Sequence, residues 1–412
     1  MNRIQILIGT QHIQTSVRLP ASKSISNRLL MIKALCTDEF SITNLSNSED
    51  TLLLHDALEN ASAHDIFQMD NAGTPFRFLT AFFALTEGER VLTGATRMLE
   101  RPIGLLVDAL IGMGARITYL NQIGFPPIHI EGASLEGGTV NIAADISSQF
   151  ISALLLIAPK LNKGIELHLQ KSVASQPYIK MTLEVMRNYG ITSSYEQNII
   201  RIPPQKYVAK NSIVESDWSA AAFWYEIVAL SSEADVELLG LQYDTSQGDA
   251  HVAEIFEKLG VETTYQANSI LLKKSKPTVD FIEIDFLHIP DMFPSIIATC
   301  AALQIKFRFT GIENLSIKES NRVEAMISEL GKCGYQFHYE KPHALLFHGE
   351  CQPQPNASIQ FDSHKDHRIV MALAPLCLYD LDVTISDAEC VKKSYPNFFA
   401  DLAQAGFFIS DK

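Results

Sequence analysis

Six times along the chain, a short cluster of polar or small residues is followed by an apolar run of helix length. The six stretches span residues 22–35, 71–85, 147–160, 217–230, 291–303 and 365–378. Ser, Thr, Asp and Asn side chains cap the free N–H groups at a helix start, so each cluster predicts the N-terminus of a buried helix. The starts lie 49, 76, 70, 74 and 74 residues apart.

A second pattern keeps the same spacing: an amphipathic stretch ends in glycine and runs directly into a strand-like segment. These stretches end at Gly114, Gly190, Gly260, Gly334 and Gly406. Glycine suits the left-handed position after a helix. Any α/β protein repeats helix, glycine and strand, but two markers that share a period near 70 residues favour six duplicated units. The first interval is about 24 residues short, so we expect the first unit to lack part of its second half, around residues 59–70.

Length and composition restrict the possible classes of protein. A chain of 412 residues predicts two domains, and a net charge of −14 argues against nucleic-acid and anionic-membrane partners. The six cysteines show no CxxC pair, which favours reduced thiols and a cytoplasmic location. Residues 1–9 are too short an apolar run for a signal peptide and predict a strand. No apolar run approaches the ~18 residues that a membrane span needs.

Cations gather at two of the predicted helix starts. Lys23 and Arg28 flank Ser24, and Lys318 and Arg322 stand on either side of a carboxylate. Solvated surface charges are the simpler interpretation of each pair. Helix N-termini attract anions, however, so six converging starts would form an anion-binding cleft in an otherwise acidic protein.

The familiar nucleotide and hydrolase motifs are missing from the sequence. It contains no Walker A loop, GxGxxG, GxSxG or HExxH, so kinase, dehydrogenase, esterase and zinc-protease functions lose their main support. His364 and His367 have no third metal ligand at a familiar spacing. We therefore expect neither a metal nor a cofactor.

Nine blocks of the sequence, in order, closely resemble the 5-enolpyruvylshikimate-3-phosphate synthase family. The blocks lie at residues 22–28 (SKSISNR), 71–74 (NAGT), 100–104 (ERPIG), 147–150 (SSQF), 175–178 (SQPY), 289–291 (IPD), 318–322 (KESNR), 366–368 (DHR) and 393–396 (KSYP). The resemblance runs from about residue 18 to 405.

The resemblance implies an α/β fold of two inside-out barrel domains, each made of three βαβαββ units. Domain 1 would comprise residues 1–19 and 216–412, domain 2 residues 20–215, and the active site would lie in the cleft between them. It also implies a monomer whose partners are small-molecule substrates.

The implied reaction transfers the enolpyruvyl group of phosphoenolpyruvate to the 5-hydroxyl of shikimate 3-phosphate and releases phosphate. It proceeds by addition and elimination through a tetrahedral intermediate. Asp291 would be the base, and Glu319 with Lys23 the proton donor. Shikimate 3-phosphate would be held by Lys23, Ser24, Arg28, Ser147, Ser148, Gln149, Ser175, Tyr178, Asp291, Asn314 and Lys318. Phosphoenolpyruvate would be held by Lys23, Gly73, Arg101, Gln149, Arg322, Arg368 and Lys393.

Two alternatives and three departures remain open. The related UDP-N-acetylglucosamine enolpyruvyl transferase typically has Lys-Asn where this chain has Lys23-Ser24, and commonly uses a cysteine acid, yet no cysteine lies between Cys36 and Cys300. The second alternative is an inactive scaffold of the same fold. Such a scaffold would not need the acidic and basic residues of the reaction, and this chain has them. The chain departs from the family pattern in its short first unit, and at Pro75 and Asn321.

Overall fold

The computed structural model describes residues 3–352, 358–379 and 381–412. The α-helices of these ranges are α1 (Lys23–Leu35), α2 (Glu49–Glu59), α3 (Gly73–Leu85), α4 (Thr96–Leu99), α5 (Gly104–Gly112), α6 (Ser148–Ile157), α7 (Gln176–Asn188), α8 (Trp218–Leu230), α9 (Val252–Lys258), α10 (Phe293–Ala302), α11 (Arg322–Lys332), α12 (His367–Leu373) and α13 (Phe398–Gln404). Short 3₁₀ helices lie at Ala158–Lys160, Gly248–His251, Glu313–Ile317, Ala374–Tyr379 and Ala388–Lys393.

The strands are β1 (Arg3–Ile8), β2 (His12–Arg18), β3 (Ile42–Thr43), β4 (Ile66–Gln68), β5 (Glu89–Thr93), β6 (Arg116–Tyr119), β7 (Ile128–Glu131), β8 (Gly138–Ala143), β9 (Ile165–Gln170), β10 (Ser194–Glu196), β11 (Ile199–Ile202), β12 (Ser212–Ile213), β13 (Glu233–Leu239), β14 (Val261–Tyr265), β15 (Ser269–Lys274), β16 (Phe281–Asp285), β17 (Lys306–Thr310), β18 (His338–Glu340), β19 (Ala344–Phe347), β20 (Ser358–Asp362), β21 (Asp382–Ser386) and β22 (Phe407–Asp411). No helix of the described ranges is both long and apolar enough to cross a bilayer.

The chain divides into two compact units. Unit 1 comprises Met1–Ala21 and Glu215–Lys412, and unit 2 comprises Ser22–Val214. Five four-stranded sheets share one strand order, in which the first pair is parallel and the other two pairs are antiparallel. In unit 1 the orders are β2-β13-β15-β14, β16-β17-β19-β18 and β20-β21-β1-β22; in unit 2 they are β4-β5-β7-β6 and β8-β9-β11-β10. The recurrence confirms the predicted βαβαββ repeat, and β1 is the predicted N-terminal strand.

The first repeat of the sequence is indeed the short one. Its sheet consists only of β12 and β3, which are parallel, and the chain passes from the end of α2 into β4 without the two strands that follow the second helix elsewhere. Arg90 covers this region: it donates to the carbonyl of Ala61 at 3.0 Å, and its guanidinium lies 4.9 Å from the ring centre of Phe83. Phe67 packs against the same ring at 4.8 Å.

Buried helices form the centre of each unit. In unit 1, α8, α10 and α12 pack on one another, and every residue of α8 except Ser219 is buried. In unit 2, α1, α3 and α6 pack on one another in the same way. A helix that is apolar all round must be enclosed on all sides, so helices lie inside and sheets outside.

The five glycines predicted to end helices all have positive φ. The φ angles of Gly114, Gly190, Gly260, Gly334 and Gly406 range from 84° to 104°. The approach at Gly334 is especially close, because a Cβ atom there would lie 2.1 Å from the carbonyl oxygen of Gln352. The glycine signal in the sequence therefore corresponds to a real backbone requirement.

We expect Gly334→Ala to lower the free energy of unfolding by about 1 to 3 kcal/mol, because it adds both a left-handed alanine and a steric clash. Gly331 in α11 is the matched control, since its φ is not positive and nothing lies within 4 Å of an added Cβ atom. Gly331→Ala should raise stability by up to about 1 kcal/mol. Urea unfolding of both variants measures this, and equal midpoints would contradict the explanation.

Candidate active site

Three helix starts of unit 2 lie side by side. Arg28, in the second turn of α1, donates from Nη2 to Ser152 Oγ at 3.1 Å, in the second turn of α6. Its guanidinium also lies 5.7 Å from the ring centre of Phe78, in the second turn of α3. The Arg28 side chain thus connects the second turns of all three helices. Their N-termini therefore converge at one end of the unit.

Neutral groups surround the buried Arg28 guanidinium. Nε donates to Thr182 Oγ1 at 2.8 Å, Nη1 to the carbonyl of Ser24 at 2.8 Å, and Nη2 also to the carbonyl of Tyr178 at 3.1 Å. Burial lowers the pKa of Arg28 to about 10. These partners orient the cation without neutralising it, which suits a group that receives an anionic ligand.

Lys23 forms an ion pair with a residue that the sequence did not reveal. Its Nζ lies 3.0 Å from Asp50 Oδ2, and the two side chains are 14% and 5% exposed. Asp50 lies in the first turn of α2, where an acidic residue is ordinary for a helix start. The sequence therefore offered no signal that would have distinguished Asp50.

A buried chain of hydroxyl groups fixes α1 against the start of α2. Ser26 Oγ accepts from the Ser46 N–H at 3.0 Å, and Ser46 Oγ donates to Ser48 Oγ at 3.1 Å. Ser48 and Thr51 hydroxyls lie 3.0 Å apart, and Thr51 donates to Asn27 Oδ1 at 2.9 Å. Several hydroxyls of the SKSISNR block and of the segment after it thus position the helices on which Lys23 and Asp50 lie.

Because Gly73, the first residue of α3, has no side chain, the guanidinium of Arg101 can lie directly against its backbone. A Cβ atom at Gly73 would lie 2.7 Å from Nη1 of Arg101. Arg77, which the sequence analysis did not single out, donates to the carbonyls of Gly73 at 3.1 Å and Pro102 at 3.2 Å. It thereby joins the start of α3 to the loop that carries Arg101.

The other predicted residues of unit 2 lie at the starts of α6 and α7, which pack together. Ser147 is the N-cap of α6, and its side chain accepts from the Gln149 N–H at 3.3 Å. Ser148 and Gln149 form the first turn of α6. Ser175 precedes α7 with a φ of +54°, and Tyr178 lies in the first turn of α7.

In unit 1, Arg322 is the centre of an ion-pair network. Its side chain is 1% exposed and contacts three carboxylates: Nη1 to Asp291 Oδ1 at 2.7 Å, Nη2 to Glu319 Oε2 at 3.0 Å, and Nε to Asp366 Oδ2 at 2.9 Å. Arg322 is the first residue of α11, which Asn321 caps by accepting from the backbone of Glu324. Asn therefore serves as well as Asp for the cap at this position.

Two further cations extend the network. Arg368 Nη2 lies 2.9 Å from Asp291 Oδ2, and Lys393 Nζ lies 3.2 Å from Glu319 Oε1. Five residues that the sequence predicted are thus joined by direct contacts. Two other predicted residues, Asn314 and Lys318, lie in and just after the 3₁₀ helix Glu313–Ile317, immediately before Glu319.

The network determines the ionisation of Asp291. Burial alone would raise the pKa of this carboxyl, but the charges of Arg368, Lys318 and Arg322 outweigh burial and hold the pKa well below its usual range. Asp291 is therefore ionised at neutral pH, and it is a weak base while both arginines hold it.

Asp249 is a second carboxyl group that the sequence analysis missed. It accepts a short hydrogen bond from the Ser219 hydroxyl. Burial raises the pKa of Asp249 to about 6, with Asp291 and Asp217 adding to the increase and Ser219 and Arg368 opposing it. Through Ser219, Asp249 contacts the first turn of α8.

The fold is a two-unit α/β architecture of repeated βαβαββ units with buried helices, and comparisons with known proteins specify the family. The sequence profile of EPSP synthase (3-phosphoshikimate 1-carboxyvinyltransferase) matches residues 7–63 and 58–402. The chain therefore belongs to the EPSP synthase family.

Relatives and solved structures agree with this family. The 3-phosphoshikimate 1-carboxyvinyltransferase of Bacteroides fragilis is 42% identical over 406 residues, or 98% of each chain. That of Vibrio vulnificus is 33% identical, covering 95% of this chain and 96% of its own. In fold, the EPSP synthase of Acinetobacter baumannii has a TM-score of 0.80 at 24% identity over the whole of both chains. The enolpyruvyl transferase NikO of Streptomyces tendae has a TM-score of 0.75 at 14% identity, covering 100% and 99% of the two chains.

The depressed pKa of Asp291 predicts how stability depends on pH. The ionised Asp291 stabilises the folded protein above the pKa that this group has in the unfolded chain, near 4. The stabilisation is lost as pH falls toward the lower pKa of the folded protein. It amounts to about 1.4 kcal/mol for each unit by which the two pKa values differ. Wild type should therefore lose stability more steeply than Asp291→Asn in unfolding titrations from pH 6 down to about 2.5.

Asp235→Asn is the control for this titration. Asp235 pairs with Lys273 at 3.6 Å, and its side chain is 45% exposed. An exposed pair contributes little, so this variant should keep the wild-type slope. Identical slopes for all three proteins would refute the assignment of the acid sensitivity to Asp291.

Proposed function

We propose that the chain transfers the enolpyruvyl group of phosphoenolpyruvate to the 5-hydroxyl of shikimate 3-phosphate and releases phosphate. Membership of the EPSP synthase family supports this reaction. The observation that carries it is the network in which Arg368, Asp291, Arg322, Glu319 and Lys393 contact one another in that order. In this network three cations lie directly beside two carboxyl groups, which supports binding of an anionic substrate next to groups that would exchange protons.

The residues of unit 2 would supply further binding groups. Shikimate 3-phosphate would contact Lys23, Ser24, Arg28 and the starts of α6 and α7, and phosphoenolpyruvate would contact Lys23, Gly73, Arg101 and Gln149. Convergent helix starts support this assignment, and so does buried Arg28, whose hydrogen bonds within the described part of the chain go to Thr182, Ser152 and the carbonyls of Ser24 and Tyr178. The location of the active site in the cleft between the domains stays a prediction, as do the monomeric state and the cytoplasmic location.

Binding of phosphoenolpyruvate would activate the base. Arg322, Arg368 and Lys393 are now bonded to carboxylates, and an incoming substrate anion competes for the same cations. When the substrate replaces Asp291 on the arginines, the pKa of Asp291 rises because its stabilising partners are lost. Asp291 can then remove the proton of the 5-hydroxyl as the oxygen attacks C2 of phosphoenolpyruvate.

Glu319 would first take up a proton as phosphoenolpyruvate competes for its partners Arg322 and Lys393. With Lys23, it would then protonate the methylene carbon of phosphoenolpyruvate during the addition. In the elimination, Glu319 would take a proton back from the resulting methyl group as phosphate departs. Lys393 and Arg322 both contact Glu319 and would stabilise its carboxylate once the proton has left. The relatives named above do not favour the UDP-N-acetylglucosamine alternative.

Asp291→Ala tests the base. Purified wild-type protein with both substrates should release phosphate, and the variant should lose at least about 100-fold in kcat because general-base catalysis is removed. Its affinity for phosphoenolpyruvate should persist, since Arg322 and Arg368 lose a competing carboxylate. A variant with wild-type kcat would refute the assignment, and a folded wild type that binds both substrates without releasing phosphate would favour the inactive scaffold.

Lys23→Ala tests whether one cation serves both substrates. We expect the KM values for phosphoenolpyruvate and for shikimate 3-phosphate each to rise about tenfold or more, as for a lost hydrogen bond to a charged group. Lys33→Ala is the control, because Lys33 lies in the last turn of the same helix and is exposed. An unchanged KM for either substrate in Lys23→Ala would exclude the shared role.

A further inference from the structure

Glu329 is a buried carboxylate outside the Arg322 network that lies on the same face of α11 as Arg322. Glu329 follows Arg322 by seven residues, which is two helical turns, so both side chains point in the same direction. The Glu329 side chain is 2% exposed. Both side chains contact residues 362–366, which run from the last residue of β20 to the residue before α12.

Glu329 binds the beginning of this segment. Its Oε2 accepts from the Asp362 N–H at 2.9 Å and from Lys332 Nζ, and its Oε1 lies 2.9 Å from His364 Nε2. The hydrogen bond to Glu329 raises the pKa of His364. Burial would raise the pKa of Glu329, but bonds from His364, Lys332 and the Asp362 backbone lower it. The contact is therefore a charge-assisted one.

Arg322 binds the end of the same segment. Asp366 accepts from Arg322 Nε at 2.9 Å and from Ser320 Oγ at 3.1 Å, and it caps α12 by accepting from the Arg368 N–H at 3.1 Å. The path of these few residues therefore determines where α12 begins, and with it the position of Arg368, the second residue of that helix.

The segment between the two contacts has an unusual backbone. His364 and Lys365 have φ angles of +48° and +54°, a region that residues with a side chain seldom adopt. Such a conformation persists only where surrounding contacts hold it. Glu329 provides those contacts on one side and Arg322 on the other.

We propose that Glu329 and His364 are positioning residues that hold Asp366 and Arg368 in place for phosphoenolpyruvate. The inference rests on the proposed function, because it assumes that Arg368 binds this substrate. Neither Glu329 nor His364 needs to contact the substrate. Their effect reaches it through residues 362–366, whose two ends are both bonded to α11.

His364→Asn is the primary test, because Asn tolerates positive φ and the substitution removes only the imidazole contact. His168→Asn is the matched control. His168 Nε2 lies 2.6 Å from Glu166 Oε1, and the His168 and His364 side chains are each 33% exposed. The KM for each substrate, kcat and the amide hydrogen exchange of residues 362–368 are measured for both variants and wild type.

In His364→Asn we expect the KM for phosphoenolpyruvate to rise about tenfold, the order expected when one hydrogen bond to a charged group is lost. The KM for shikimate 3-phosphate should stay within about twofold, and residues 362–368 should exchange faster. Glu329→Gln should change these quantities in the same way. The double variant should change them little further, because both substitutions break the same contact between His364 and Glu329. His168→Asn should match wild type in all three measurements.

The proposal would be overturned by unchanged exchange of residues 362–368, or by faster exchange with an unchanged KM for phosphoenolpyruvate. Equal increases in both KM values would also contradict it, since they would indicate a general structural effect. If wild type and His168→Asn release no phosphate, the proposed function fails instead. The exchange comparison, which needs no substrate, then still decides whether Glu329 and His364 hold the segment.

Discussion

The burial of the Arg322 guanidinium is the constraint on which the candidate site of unit 1 depends. Transferring a charge out of water costs several kcal/mol even in a relaxed protein, so Arg322 can be buried only with compensating carboxylates. Asp291, Glu319 and Asp366 supply them from the segments before α10, α11 and α12. One side chain thereby fixes the relative positions of three helix starts that are far apart in sequence.

Charge balance in this network explains why it can respond to a substrate. Three carboxylates face Arg322, Arg368 and Lys393, so the set is close to neutral before any ligand binds. A substrate anion would make it negative unless a carboxyl group moves away or takes up a proton. Binding and activation of Asp291 as a base are therefore linked by electrostatics in the proposed reaction. The Arg28 cluster of unit 2 differs, because neutral acceptors hold its cation.

Sequence reasoning succeeded where the signal was local. A helix cap, a glycine after a helix and a buried apolar run each express a constraint within a few residues, so the repeats and the helix starts could be predicted. Residues such as Asp50, Arg77 and Asp249 were missed because their roles arise from tertiary contacts. The pairing of Lys393 with Glu319 joins residues 74 positions apart, and no sequence pattern indicates which carboxylate a distant lysine will contact. The family resemblance supplied the remaining site residues, but not these contacts.

The shortened repeat shows which part of the unit the candidate site requires. The missing strands would follow α2, whereas Lys23 and Arg28 lie on α1 and Asp50 lies in the first turn of α2. The retained strand β3 and the pairing of Ser26 with Ser46 still fix α1 against α2. Arg90 then satisfies the carbonyls of Ala61, Thr86 and Glu87 in the place where the repeat is cut short. The candidate binding groups lie at the helix starts, and the missing strands belong to the half of the repeat that follows them, so the shortening leaves these groups in place.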